Sequence, residues 1–126
     1  MKFPFRAVLV AAVVVAGSGL ASIAAAQAPV KMADGVLTDA AGMTLYTFDK
    51  DTGDKSACSG ACAANWPPLR AVPDAKASGD WSVIARDDGA KQWAYKGKPL
   101  YLWSKDTKAG DKTGDNFNNV WHVAKQ

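Results

Sequence analysis

The hydrophobic pattern is β-like along most of the chain. Leu45-Tyr46-Thr47-Phe48 and Leu100-Tyr101-Leu102-Trp103 are short β-prone runs. Side chains alternate along a strand, so Tyr46 and Phe48 share one face, as do Tyr101 and Trp103. Leu45, Leu100 and Leu102 take the opposite faces. Strands that are apolar on both sides are expected at central positions. Trp81 to Arg86 reads as another strand, Asp87-Asp88-Gly89 as a turn, and Gln92 to Tyr95 as the return. Lys96-Gly97-Lys98 then turns into Leu100, giving a three-strand meander. Val36 to Thr38, followed by Asp39 to Gly42 and Leu45, predicts a similar hairpin. Trp121-His122-Val123 predicts the last strand. Only the Ala-rich segment from Ser56 to Asn65 predicts a short helix, ended by Pro67-Pro68.

Self-comparison shows why these patterns look alike. Gly42-x-x-Leu45-Tyr46-x-Phe48-x-Lys50-Asp51-Thr52 aligns with Gly97-x-x-Leu100-Tyr101-x-Trp103-x-Lys105-Asp106-Thr107. Gly53-Asp54-Lys55-Ser56 aligns with Gly110-Asp111-Lys112-Thr113 after a short insertion, and Trp66 with Trp121. Each half reads as a strand, an Asp-rich loop and a Trp. Neither half is long enough to bury its own core, so the copies predict one pseudo-symmetric domain. The expected fold class is all-β: a small antiparallel sandwich or barrel of about six to eight strands. It is built from two pseudo-repeats, about 36–69 and 92–124, with one short helix.

The N-terminus departs from this pattern. Lys2 and Arg6 precede an apolar run from Ala7 to Ala16, and Ala24-Ala25-Ala26 offers a small-residue cleavage site. This predicts a signal peptide over 1–26 and an exported domain over 27–126. The apolar run is short for a membrane span. No Cys stands near the cut, so no lipid anchor is expected. A periplasmic or secreted location follows.

Composition then narrows the function classes. The chain has 126 residues, 15 Lys plus Arg and 12 acidic residues, all of them Asp. Absent Glu and 11 Gly argue against a helical bundle. Without Lys2 and Arg6 the net charge of +3 falls to +1, which provides no nucleic-acid footprint. Two Cys and one His exclude a zinc finger, and no nucleophile–base pair is visible. The chain is therefore expected not to be an enzyme.

The motifs Tyr46-Phe48-Asp51 and Tyr101-Trp103-Asp106, with Cys58-x-x-x-Cys62-Ala-x-x-Trp66-Pro67-Pro68-Leu69, resemble a bacterial secreted repeat family of unknown function. That family is described as predicted lipoproteins with a Tyr-x-aromatic-x-x-Asp motif. The resemblance spans roughly Val36 to Lys125. It implies no catalytic activity, and for some members a redox role has been suspected. The missing lipid-attachment Cys sets this chain apart from the lipid-anchored pattern.

Several residues carry candidate chemistry. Cys58 and Cys62, in an exported chain, are expected to form a disulfide that fastens the Ser56–Asn65 segment to a strand at Trp66. Redox activity is the competing reading, without the C-x-x-C spacing of thioredoxin-like sites. Covalent haem is disfavoured because Ala63, not His, follows Cys62. His122, Met43, Met32 and reduced cysteines form a weak copper set. Asp49-Lys50-Asp51-Thr52-Gly53-Asp54 has calcium-loop character but lacks a bidentate Glu. Asp51 and Asp106 are alternatively expected to accept hydrogen bonds from loop N–H groups. Trp93 and Tyr95, beside Lys91, Lys96 and Lys98, are candidates for an exposed stacking face. No cofactor is predicted outright. The leading expectation is a non-enzymatic accessory or binding module of the cell envelope, with a small-molecule, glycan or envelope-protein partner and no nucleic acid. The alternative is a periplasmic redox, electron-transfer or metal-handling protein.

Overall fold

The computed structural model describes residues 28–126, so the signal peptide expected over 1–26 lies outside the described residues. Eight short strands are present among them. They are β1 Val30–Ala33, β2 Val36–Asp39, β3 Tyr46–Phe48, β4 Arg70–Ala71, β5 Trp81–Ala85, β6 Lys91–Tyr95, β7 Lys98–Pro99 and β8 Trp121–Val123. A single helical turn, α1, spans Ala61–Asn65, and a 3₁₀ turn spans Phe117–Asn119. The fold is all-β with antiparallel pairing throughout, as the alternating pattern predicted.

Strand β1 is the element that the sequence reading missed. It pairs with β2 from Val30↔Asp39 to Ala33↔Val36. Asp34-Gly35 makes the turn, with φ of 54° and 80°. Positive φ at both positions is the requirement of a tight hairpin turn, and Asp-Gly is suited to it. The equivalent hairpin in the second half is β5–β6, in register from Trp81↔Tyr95 to Ala85↔Lys91.

Other boundaries shift for local reasons. The helix occupies only the end of Ser56–Asn65, because the earlier part of that segment turns back to hydrogen-bond with its own side chains. Trp66 is not in a strand; its N–H closes the helical turn on the Cys62 carbonyl at 2.8 Å. Leu100 to Trp103 is extended but is joined to its neighbours by isolated bridges, at Tyr101 to both Tyr46 and Pro68.

The two halves repeat their hydrogen bonds as well as their sequence. Leu69 N–H donates to Leu100 O (2.9 Å), and Ala124 N–H donates to Leu45 O (2.8 Å). Ser104 N–H donates to Asn65 O (2.9 Å), and Asp49 N–H donates to Val120 O (2.8 Å). Each bond in these pairs links residues from opposite halves of the chain. At the centre, Tyr46 and Tyr101 exchange backbone hydrogen bonds of 2.8 and 2.9 Å. The pseudo-axis passes through this reciprocal pair.

Alternation about the centre creates two cores. Leu37, Leu45, Leu69, Trp93, Leu100 and Ala124 fill one. Tyr46, Trp66, Tyr101, Trp103 and Trp121 dominate the other. This division matches the predicted faces of the two aromatic strands, with Leu102 joining the Leu45–Leu100 side.

Candidate functional site

The aromatic core is organised by the pseudo-symmetry. Trp66 and Trp121, equivalent in the repeat, stack with centroids 3.9 Å apart and planes 2° from parallel. Trp103 stacks on Trp66 at 3.9 Å, and its counterpart Phe48 stacks on Trp121 at 4.1 Å. The four rings form one column, Trp103–Trp66–Trp121–Phe48, that crosses between the halves three times. Tyr46 meets Trp66 edge-on, and Tyr101 meets Trp121 edge-on. Such pairs add about 0.5–1.5 kcal/mol each beyond area burial.

The two Tyr hydroxyls tie the column to the Asp loops, again across the halves. Tyr46 OH donates to Asp106 Oδ2 at 2.7 Å. Tyr101 OH donates to Asp51 Oδ2 at 2.7 Å. The first half's Tyr uses the second half's Asp, and the reverse. The other carboxylate oxygens hold loop backbone: Asp51 Oδ1 accepts from Ala57 N–H (2.6 Å), and Asp106 Oδ1 from Thr113 N–H (3.0 Å). The expected loop-fixing role of both Asp residues is therefore present, together with a link between repeats that spacing did not reveal. Burial first, then the Asp partner in the case of Tyr46, pushes both phenols well above their ordinary range. Burial also raises the Asp51 carboxyl, opposed by hydrogen bonds from Ala57 and Tyr101.

A buried polar chain continues from Tyr101. Because Tyr101 gives its proton to Asp51, Ser56 Oγ, 2.5 Å from the phenol oxygen, acts as donor there. Arg86 Nη1 donates to Ser56 Oγ (3.0 Å) and Gln92 Oε1 (2.8 Å), and Nη2 to Cys58 O (2.6 Å). Gln92 Nε2 donates to Leu100 O at 2.7 Å. Arg86 Nε has no hydrogen-bond partner; exposed Asp88 lies 3.8 Å away. Composition did not single out Arg86. Its position on a predicted strand, facing inward between Asp87 and Ala85, was the available signal.

Cys58 and Cys62 form a disulfide, with Cα atoms 5.2 Å apart. Cys58 is fully buried against the aromatic core, and its carbonyl accepts from Arg86. Among the described residues no group of three or more His, Cys, Asp or Glu side chains is placed to hold a metal. Asp49 and Asp51 diverge: the first pairs with His122, the second turns inward to Tyr101. The carboxylates of Asp49 and Asp51 therefore do not converge on one point of the 49–54 segment. Met43 lies in the turn after β2, where its N–H donates to Asp39, and Met32 is exposed on β1.

The expected stacking face also requires correction. Trp93 is 2% exposed and belongs to the Leu core, since β6 is covered on that side. Tyr95 is half-buried, 4.7 Å from the Trp81 ring, with the Lys96 ammonium 5.3 Å from its own centroid. Only Tyr95 of that pair reaches a surface cleft.

That cleft is the strongest remaining candidate. It measures about 270 Å³ and is lined by Thr47, Asp49, Tyr95, Lys96, Lys98 and His122, closed at its base by Leu100, Val123 and Ala124 and flanked by Lys125. A second depression of about 230 Å³ shares Thr47, Asp49 and Lys98 and runs toward Asp51. His122 Nε2–H donates to Asp49 Oδ2 at 2.8 Å, which fixes that tautomer because a carboxylate can only accept. Strands β3 and β8 hold this pair, opposite each other through Thr47↔His122.

Pseudo-symmetry supplies an internal control for the cleft. The equivalents of Thr47, Asp49, Lys96, Lys98 and His122 are Leu102, Ser104, Ala41, Met43 and Pro67. The same backbone in the other half carries mostly apolar or small residues. The polar set is thus not demanded by the repeat fold. Lys125 is the exception, matched by Arg70.

A protein family described as a secreted repeat of unknown function matches the chain twice, over residues 28–70 and 82–125. The chain belongs to this family. Each match begins upstream of the repeats read at 36–69 and 92–124, and so takes in the β1–β2 and β5–β6 hairpins. No curated protein and no solved structure matches the chain. Membership places the protein among secreted proteins. The two matches agree with the duplication read in the sequence, and the Tyr–Asp hydrogen bonds join one copy to the other.

Proposed function

We propose that the protein is an exported, non-enzymatic binding module of the bacterial cell envelope, acting in the periplasm or outside the cell after removal of a signal peptide. Its binding site is the cleft between β3, β8 and the β6–β7 turn. One observation carries this reading: within a duplicated fold, the cleft gathers exposed and half-buried polar residues that the other half lacks, with Thr47, Asp49, Lys96, Lys98 and His122 standing where it has Leu102, Ser104, Ala41, Met43 and Pro67. Residues kept alike in both halves serve the fold; unlike the buried Arg86–Gln92 chain, the polar set of this cleft lies at the surface and is not needed to satisfy buried groups. The motif residues Tyr46, Phe48, Asp51, Tyr101, Trp103 and Asp106 are consumed in internal stacking and hydrogen bonds, which leaves them poorly placed for chemistry on a ligand. Isotope-labelled protein screened by amide NMR against a mixed library of metabolites, glycans and envelope peptides tests the proposal. The expected result is at least one saturable ligand whose perturbations cluster on Thr47, Tyr95, Lys98, His122 and Ala124. A library without hits, or hits centred elsewhere, would overturn it.

A further inference from the structure

We infer that the cleft takes a small anion of about single-sugar size, its carboxylate or phosphate held by Lys96, Lys98 and Lys125 and its body lying against Tyr95. The inference rests on the binding-module reading of the same cleft and specifies its ligand class. Charge is the first argument. Three lysines line one cleft, and among the described residues none of them forms an ion pair. The single carboxylate in the lining, Asp49, already accepts from His122. Like charges gathered on a concave surface with an apolar floor reinforce one another's field, and an anion relieves their repulsion. The floor here is Leu100, Val123 and Ala124, all buried.

Necessity is the second argument. At the equivalent connection the first half carries Ala41 and Met43 where the second has Lys96 and Lys98, although the turns differ: Lys96 and Gly97 form a two-residue turn closed by Tyr95↔Lys98, whereas Asp39 and Met43 are joined through three residues. Gly42 and Gly97 take φ of 88° and 80°, and Lys96 takes a φ of 50° that its counterpart Ala41 does not share. The first half thus closes its connection without a cation at either position, and among the described residues neither Lys96 nor Lys98 is held by an ion pair. Size is the third. About 270 Å³ falls just below the roughly 300–1,000 Å³ of pockets that enclose drug-sized ligands, which suits one substituted ring. Tyr95 offers an aromatic flank for such a ring, and the Thr47 hydroxyl and the second nitrogen of His122 offer polar partners along the wall.

The test is a titration of the labelled protein with four probes of similar size: glucuronate, glucose 6-phosphate, glucose and glucosamine. The inference predicts saturable shifts at Thr47, Lys98, His122 and Ala124 with glucuronate or glucose 6-phosphate, and none with glucose or glucosamine. The preferred acid identifies carboxylate or phosphate as the recognised group. Affinity is expected to weaken with added salt, and to fall roughly tenfold in K98Q/K125Q, since charge-assisted hydrogen bonds are among the stronger polar contacts. The control K31Q/K105Q, on exposed lysines outside the cleft, is expected to bind as before. Equal binding of glucose, or no loss in K98Q/K125Q, would overturn the anion assignment while leaving a binding module in place. Non-saturable shifts scattered over all lysines would also overturn it. If neither acid binds but a library ligand occupies the cleft, the ligand class alone fails. If nothing binds there, the module reading fails with it.

Discussion

Asp51 and Asp106 show what a repeated residue does that a single one cannot. Each carboxylate uses one oxygen to fix its own loop and the other to accept a phenol proton from the opposite repeat. Asp51→Ala would strand both Tyr101 OH and Ala57 N–H. We expect a loss of about 1–3 kcal/mol, read by urea denaturation. Asp51→Asn keeps an acceptor and removes the charge. Burial raises the Asp51 carboxyl, so the folded state binds its proton more tightly than the unfolded one. The group's contribution to stability is therefore best at low pH and declines as pH rises through the folded value. Relative to the parent, Asp51→Asn should gain stability as pH rises above the ordinary carboxylate range; a relative loss on that rise would contradict the sign. The phenols give a second prediction. Burial pushes Tyr46 and Tyr101 above the ordinary range. In an alkaline titration followed by the phenolate ultraviolet band, these two should ionise only together with loss of the near-ultraviolet circular dichroism. Spacing made the loop-fixing role of both Asp residues legible. The exchange of partners was not, because it depends on how the two strands cross.

At the scale of elements, close packing explains both a constraint and an error of reading. Gly114 follows Thr113 in the second Asp loop, and its N–H donates to Tyr46 OH at 3.2 Å. A Cβ there would sit 2.6 Å from the Trp66 ring and 3.0 Å from Trp103. Gly114→Ala must displace part of the ring column, and we expect a loss of about 1–3 kcal/mol in thermal or urea unfolding. The disulfide acts locally. Cys58 and Cys62 close a loop of very few residues, so their joint replacement by Ser should cost about 2 kcal/mol by chain-entropy scaling. The protein should remain folded, with the Arg86 end of the polar chain loosened where Cys58 O accepts its proton. The strands of the meander were legible from alternation. Strand β1 was not recognised, although Asp34-Gly35 marked its turn, because Lys31 and the exposed Met32 and Ala33 give it little apolar signal. The lysines beside Trp93 make it a candidate for a surface face, a reading its burial excludes. In fact β6 is paired on both sides and buried at its centre.

The whole molecule is one unit because its two copies share their contacts. The backbone bridge at Tyr46 and Tyr101, the ring column, and the exchanged Tyr–Asp bonds each require both halves. A repeat expressed alone would expose a Tyr without its Asp and an inner Trp without its partner, so neither half should fold by itself. The duplication in the sequence announced pseudo-symmetry and the positions that depart from it; it could not announce that several of them meet at one site. Their gathering in the lysine-lined cleft became visible only when β8 was placed beside β3. The central claim is that the family motif is a latch between repeats, with function left to the cleft. A double-mutant cycle on Tyr46 and Asp106, using Tyr46→Phe and Asp106→Asn with urea unfolding, tests it most directly. We predict a coupling energy of about 1–2 kcal/mol, in the range of contacting network partners. Single variants with native stability and no coupling would contradict the latch and return the motif residues to candidacy for chemistry.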